Sequence, residues 1–232
     1  MNALIEGFFQ AFDLIVSLDP VLYEIIWFSL YVSGVALGYS TLVGIPLGVL
    51  LAFKRFVGRR LIMALLYTGM GFPPVVVGLF VYLMLSRSGP VGNLGWLFTP
   101  RAIITAQTII AFPLVAGFTM AAVMGVDPNM RRQLMALGAT GWQATLAILA
   151  EARVGVIVSI IAGFGSVISE VGAVILVGGN IEGKTRTLTT AVVLETRKGN
   201  FDLAIALGII LLLISFFINL IMIRTQGRDI SR

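Results

Sequence analysis

Few side chains in this chain could do chemistry, so where they sit is informative. Glu170 is the only ionisable residue deep inside any of the long apolar runs. There is no histidine and no cysteine, which excludes zinc and haem centres, disulfides and histidine-based proton transfer. An intramembrane carboxylate costs at least ~2.5 kcal/mol on insertion scales, so Glu170 must face a partner or a wet cavity. Its surroundings, from Gly163 to Ala173, are small and polar on several sides, and small residues let helices approach closely. Two roles stay open for Glu170: a buried structural acceptor, or a pathway group beside Ser166, Ser169 and Gly172.

A second concentration of polar residues is the island Asp127–Gln143, set between two apolar runs. Asp127-Pro128 reads as an N-cap followed by a first-turn proline, and Gly138 as the left-handed residue that ends the helix. Thr140 and Gln143 repeat the start signal as a capping box. Met130, Leu134 and Leu137 recur at helical spacing, as do Trp142, Leu146 and Leu149. The pattern predicts two short amphipathic helices with a glycine elbow at Gly138, held at a membrane surface. Such a pair is suited to docking.

The elements that must position these groups are membrane spans. The 232 residues are 58% hydrophobic and 12% charged, with mean hydropathy +1.01, where soluble domains carry roughly a quarter charged residues. Five apolar runs, about 25–53, 61–85, 103–124, 154–177 and 201–223, each reach the ~20 residues needed to cross hydrocarbon. The expected fold class is therefore an all-α integral membrane protein with one transmembrane domain over 21–224. Residues 1–20 form an N-terminal interfacial segment, with Leu4, Phe8, Phe12 and Ile15 on one helical face. The segment lacks the basic start of a secretory signal. Residues 225–232 form a tail.

The short turn Lys54–Arg60 carries four positive charges and is expected in the cytoplasm. Counting spans puts the island and the tail on the same side and the N-terminus outside. That side would hold Lys54, Arg55, Arg59, Arg60, Arg131, Arg132, Arg153, Arg224, Arg228 and Arg232. The net charge of +5 follows from this placement and does not require a nucleic-acid partner. Gly69-Met70-Gly71-Phe72-Pro73-Pro74 breaks the second run near its middle, because two prolines withhold N–H donors. That break is either a packing kink or part of a translocation path. Lys184 and Arg186 lie in the last outer loop as candidates for a basic mouth. No internal repeat is evident, which disfavours an inverted-repeat transporter.

Leu137-Gly138-Ala139-Thr140-Gly141-Trp142 resembles the core of the EAA-type coupling segment of ABC importer permeases. Ile168-Ser169-Glu170-Val171-Gly172-Ala173 resembles the Ser-Glu-Phe-Gly-Ala segment of the molybdate/tungstate/sulfate permease group. Val177–Ile181, Thr185–Ala191, Leu194-Glu195-Thr196 and Lys198-Gly199 look like the tungstate-type branch, and Phe72–Gly78 fits the same group. The resemblance covers roughly 31–219. It departs from the pattern at Arg132 and Gln133, where the naming glutamate would fall, and around Ala150-Glu151, where a proline is usual.

The resemblance implies a type I importer fold and a homodimeric permease that moves an oxyanion inward, tungstate first and molybdate next. It implies a prokaryotic plasma or inner membrane location. A cytoplasmic ABC ATPase dimer would dock on Met130, Arg131, Arg132, Leu134, Leu137, Gly138, Ala139, Thr140, Trp142 and Leu146, and an extracytoplasmic binding protein would deliver substrate. This chain has no phosphate loop, so ATP and Mg belong to the ATPase and no cofactor is expected here. Pathway candidates are Pro73, Pro74, Ser166, Ser169, Glu170 and Gly172. A membrane enzyme would need a nucleophile, an acid–base pair or a metal cluster, and those residues are largely missing. A passive channel would have no use for the island.

Overall fold

The computed structural model describes residues 2–17 and 19–225, with the side chains of residues 2–4 and 225 excepted. The tail beyond residue 225, with Arg228 and Arg232, and the Leu4 side chain lie outside the described residues. The described chain is all-α: α1 (Asn2–Val16), α2 (Pro20–Phe53), α3 (Arg59–Met70), α4 (Pro74–Leu85), α5 (Pro100–Met124), α6 (Pro128–Ala136), α7 (Gly141–Glu151), α8 (Arg153–Ile168), α9 (Gly172–Gly178), α10 (Leu188–Lys198) and α11 (Phe201–Thr225), with a 3-10 turn at Gly92–Leu94. Pro20–Phe53, Pro100–Met124 and Phe201–Arg224 are each long and apolar enough to cross a bilayer. Two bent pairs, α3 with α4 and α7 with α8, raise the candidate crossings to five.

The centre of the fold is the α2–α5 pair. Asp19 caps α2 by accepting the Leu22 N–H at 2.8 Å, and Pro20 supplies a first turn that needs no donor. The resulting 34-residue helix is about 51 Å long, well beyond the ~30 Å hydrocarbon core. Gly48 is what allows it to meet α5. A Cβ there would lie 2.6 Å from the Ala116 carbonyl oxygen, so the two backbones touch. Hydroxyls complete the seam. Ser40 donates to the Thr108 carbonyl at 3.1 Å, and Thr119 pairs with Ser159 of α8 at 3.1 Å.

α4 and α9 both begin at breaks. α3 and α4 meet at 105°, and α4 starts afresh at Pro74 with Val76 N–H donating to the Pro73 carbonyl at 2.9 Å. This break follows directly from the proline pair. The run 154–177 also breaks. α8 stops at Ile168 and α9 resumes at Gly172, although the three residues between them include neither proline nor glycine. At its other end α8 meets α7 at 66°. Ala152, buried, closes α7 and opens α8, accepting the Val156 N–H while donating to the Ile148 carbonyl.

α1 packs against α11, with Gly7, Ala11, Leu14 and Ile15 toward the protein and the phenylalanines of the apolar stripe turned away from it. Gly7 and Ala11 are buried, and a Cβ at Gly7 would lie 2.6 Å from Ile205. Phe8, Phe9 and Phe12 point away from the protein. Where the surrounding solvent is lipid, small residues join the helices and bulky apolar ones face out.

Candidate functional site

The island Asp127–Gln143 folds as α6 and α7, and each of its local signals has a physical counterpart. Asp127 accepts the Asn129 N–H at 2.9 Å. Thr140 and Gln143 exchange hydrogen bonds as a capping box. Gly138 has φ +89°. The Ala139 N–H reaches back to the Leu134 carbonyl at 3.0 Å and the Gly138 N–H to Met135 at 3.1 Å, which is the Schellman closure of α6.

The two predicted stripes divide between two surfaces. Leu137 is 85% exposed, Trp142 70%, Met135 51% and Leu146 45%; these four apolar side chains stand exposed on α6, the elbow and α7. Met130 and Leu149 instead pack beside Val123, Ile148 and Ala152 on the membrane side, and Leu134 is half-buried. Arg131 is half-buried, with its guanidinium 4.8 Å from the centre of the Phe53 ring and an Nη1 donating to Thr145 at 3.4 Å. It thereby fastens α6 to the end of α2 and to α7. Arg132 is exposed and donates only within α6, to Asn129. Ala139 is half-buried and Thr140 exposed.

Of the pathway candidates, Pro74 and Ser166 line one cavity of about 540 Å³, together with Gly69, Gly71, Thr108 and Pro113. None of its lining residues is charged. Pro73 caps α4 immediately beside it. Ser169, Glu170 and Gly172 are not part of that cavity. Ser169 is exposed and donates to the Gly165 carbonyl at 2.6 Å. Gly172 lies against Val75 of α4, with 2.5 Å between its Cβ position and Val75 Cγ2.

Glu170 is buried, and its Oε1 accepts the Ala173 N–H at 2.8 Å. The carboxylate therefore serves the first turn of α9. Thr189 of α10 donates to the backbone carbonyl of Glu170 at 2.9 Å, leaving the carboxylate to α9. Gln107 of α5 completes the junction. It is 2% exposed, and its Nε2 donates to the Val167 carbonyl at 2.9 Å. Gln107 escapes a reading that tracks only ionisable groups. Its signal is present all the same, since an amide inside an apolar span needs a partner just as a carboxylate does.

The last loop is structured, and its cations are partly offset by Glu182 and Glu195. Thr187 caps α10 with a capping box, and the Leu188 N–H reaches Ser29 of α2 at 2.8 Å. Arg186 pairs with Glu182 at 3.1 Å. Lys184 and Arg186 share a cleft of about 450 Å³ with Glu24 and Glu182, so two carboxylates offset two cations there.

Glu195 closes α10. Hydrogen bonds from Asn200 at 2.8 Å and Lys198 at 2.7 Å hold its carboxyl below the ordinary glutamate range. A depressed folded-state pKa contributes stability above the ordinary carboxylate range, which disappears as pH falls through the folded value. Glu195→Gln should therefore melt below wild type at neutral pH, with the gap closing in acid. Parallel melting curves across that range would exclude this linkage.

The chain matches the family described as binding-protein-dependent transport system inner membrane component over residues 44–227. It is 44% identical to a probable anion ABC transporter permease protein of Haloferax volcanii, over 88% of this chain and 90% of that one. It is 40% identical to a tungstate uptake system permease protein of Peptoclostridium acidaminophilum, over 97% and 99% of the two chains. Among solved structures it resembles a chain of a bacterial alginate ABC transporter bound to its alginate-loaded periplasmic protein. That match has a TM-score of 0.75 and 24% identity, over 100% of this chain and 88% of that one.

Proposed function

This chain belongs to the family of binding-protein-dependent transport system inner membrane components, and from that premise we propose that it is the homodimeric permease of a tungstate importer. A binding protein delivers the oxyanion from outside and a separate ABC ATPase dimer powers its passage. The observation that carries the substrate is the tungstate permease relative, matched almost from end to end. Molybdate, a tetrahedral dianion of the same shape, is the competing cargo.

The geometry supports this division of labour. A cavity with Ser166 and Thr108 hydroxyls and no charged lining offers a dianion no fixed cation, which supports leaving selection to the binding protein. The basic end, with Lys54–Arg60 and the α6–α7 elbow, faces the cytoplasm. There the ATPase takes the face of Met135, Leu137, Trp142 and Leu146. The permease, its ATPase and its binding protein should be reconstituted together in vesicles. Tungstate-loaded binding protein should stimulate ATP hydrolysis and uptake, while sulfate-loaded protein should not. Stimulation by molybdate alone would reassign the cargo, and uptake without ATP would overturn the importer.

The elbow gives a separate test. A Cβ at Gly138 would meet nothing within 4 Å, so any effect of substitution there acts through its positive φ. Gly138→Val should cost about 1–2 kcal/mol at the elbow and reduce recovery of the ATPase on the permease. Gly138→Asn, which tolerates that conformation, should recover most of it. Equal recovery for glycine, asparagine and valine would separate the elbow from docking.

A further inference from the structure

Behind the docking face lies a second feature that coupling does not use. A cleft of about 440 Å³ opens between the end of α2, the start of α3, the end of α5, the start of α6 and the later part of α7. Its walls carry three guanidinium groups, from Arg55, Arg59 and Arg131, and its floor is apolar, with Phe53, Val126 and Ile148. Arg59 is half-buried and anchored by its Nε, which donates to the Leu51 carbonyl at 2.7 Å. The one carboxylate in the lining is Asp127, whose Oδ1 accepts the Asn129 N–H as the cap of α6. A second cleft of about 560 Å³, lined by Arg55, Phe56, Gly58, Arg59 and Arg60, shares Arg55 and Arg59 with the first.

The geometry points to a binding site for an anionic phospholipid, with the headgroup phosphate between Arg55, Arg59 and Arg131 and the glycerol–acyl portion on the apolar floor. Floor, charge and direction together select that occupant. The cleft sits where α2 and α5 end and carries three guanidinium groups, and basic pockets between helices on the cytoplasmic side take anionic lipid headgroups. A free oxyanion would use the guanidinium groups but has no use for the floor. The ATPase is excluded by direction, because Met130 and Ile148 pack on this inner side while Leu137 and Trp142 are the exposed residues of the elbow. Since Arg131 also holds α6 to Phe53 and Thr145, the lipid braces the docking elbow from behind. This assignment rests on the cytoplasmic orientation proposed above.

The test uses the complete transporter with its ATPase and binding protein. Retained phosphatidylglycerol is counted by native mass spectrometry. Substrate-stimulated ATP hydrolysis is compared in phosphatidylcholine vesicles with and without phosphatidylglycerol. Each basic residue near an anionic leaflet contributes a factor of about five in binding, so R55Q/R59Q should lose phosphatidylglycerol affinity about 25-fold. Stimulation of hydrolysis by phosphatidylglycerol should disappear with it. Lys54→Gln removes one charge from the same loop, outside both clefts; a seated headgroup leaves it within about twofold of wild type, whereas diffuse loop charge would cost it the same roughly fivefold as R55Q alone. Equal losses for Lys54→Gln and for R55Q would replace the site with diffuse loop charge, and displacement of the lipid by millimolar inorganic phosphate would make it a free-anion site. The chain has no cysteine, so Val57→Cys reports orientation cleanly. Labelling only from outside overturns the orientation, and the lipid assignment with it. Cytoplasmic labelling with unchanged lipid retention in R55Q/R59Q overturns the cleft alone.

Discussion

Gly78→Val should lower the stability of this protein by about 3 kcal/mol and abolish uptake. A Cβ at Gly78 would lie 2.6 Å from the Cα of Ala173 and 2.9 Å from its Cβ. The first obstacle is backbone, so no rotamer change relieves it, and α4 must separate from α9. Thermal melting of the purified permease in detergent gives the reading. Gly208→Ala, where a Cβ meets nothing within 4 Å, is the control and should melt as wild type. Adding Ala173→Gly to Gly78→Val should rescue only part of the loss, because it removes the obstructing methyl group and leaves the obstructing backbone in place. Full rescue, or a stable Gly78→Val protein, would show that α4 and α9 are free to part.

The second large effect is expected at Glu170. Glu170→Gln retains an oxygen able to accept the Ala173 N–H, whereas Glu170→Ala removes the acceptor from a buried donor. Loss of a buried partner costs about 1–3 kcal/mol, so melting temperatures should fall in the order wild type, Gln, Ala, with uptake following the same order. Should Glu170→Ala melt with wild type and still abolish uptake, the carboxylate acts on the substrate and its role as a cap is wrong.

What was legible in the sequence was local. Asp127, Gly138, Thr140 and Gln143 form their caps within a few residues, so spacing alone revealed α6, the elbow and α7. Pro73 and Pro74 break α3 from α4 by removing donors, and prolines are visible in any sequence. The break between α8 and α9 was not legible, because its causes are distant. Gln107 takes the Val167 carbonyl from sixty residues away, and Thr189 takes that of Glu170 from nineteen. Periodicity showed that residues 1–20 and the island have apolar faces, but not which way they turn. Gly7 and Ala11 displaced the phenylalanines from the seam with α11, and Met130 and Leu149 turned toward the membrane domain. In the last loop, the offset of Arg186 by Glu182 was legible, because the two lie four residues apart and pair at 3.1 Å.

The joint at Ala152 has a mechanical consequence. α7 and α8 share a single capping residue, so they form a bell-crank with arms of about 16 Å and 24 Å set at 66°. Trp142 and Leu146 sit on the short arm, and Ser166 rides near the tip of the long one. For the coupling proposed above, a rotation of about 5° of the pair as one body carries that tip about 2 Å. The displacement arrives where Gln107 and Glu170 hold the junction with α9, with a gain of about 1.5 set by the arm lengths.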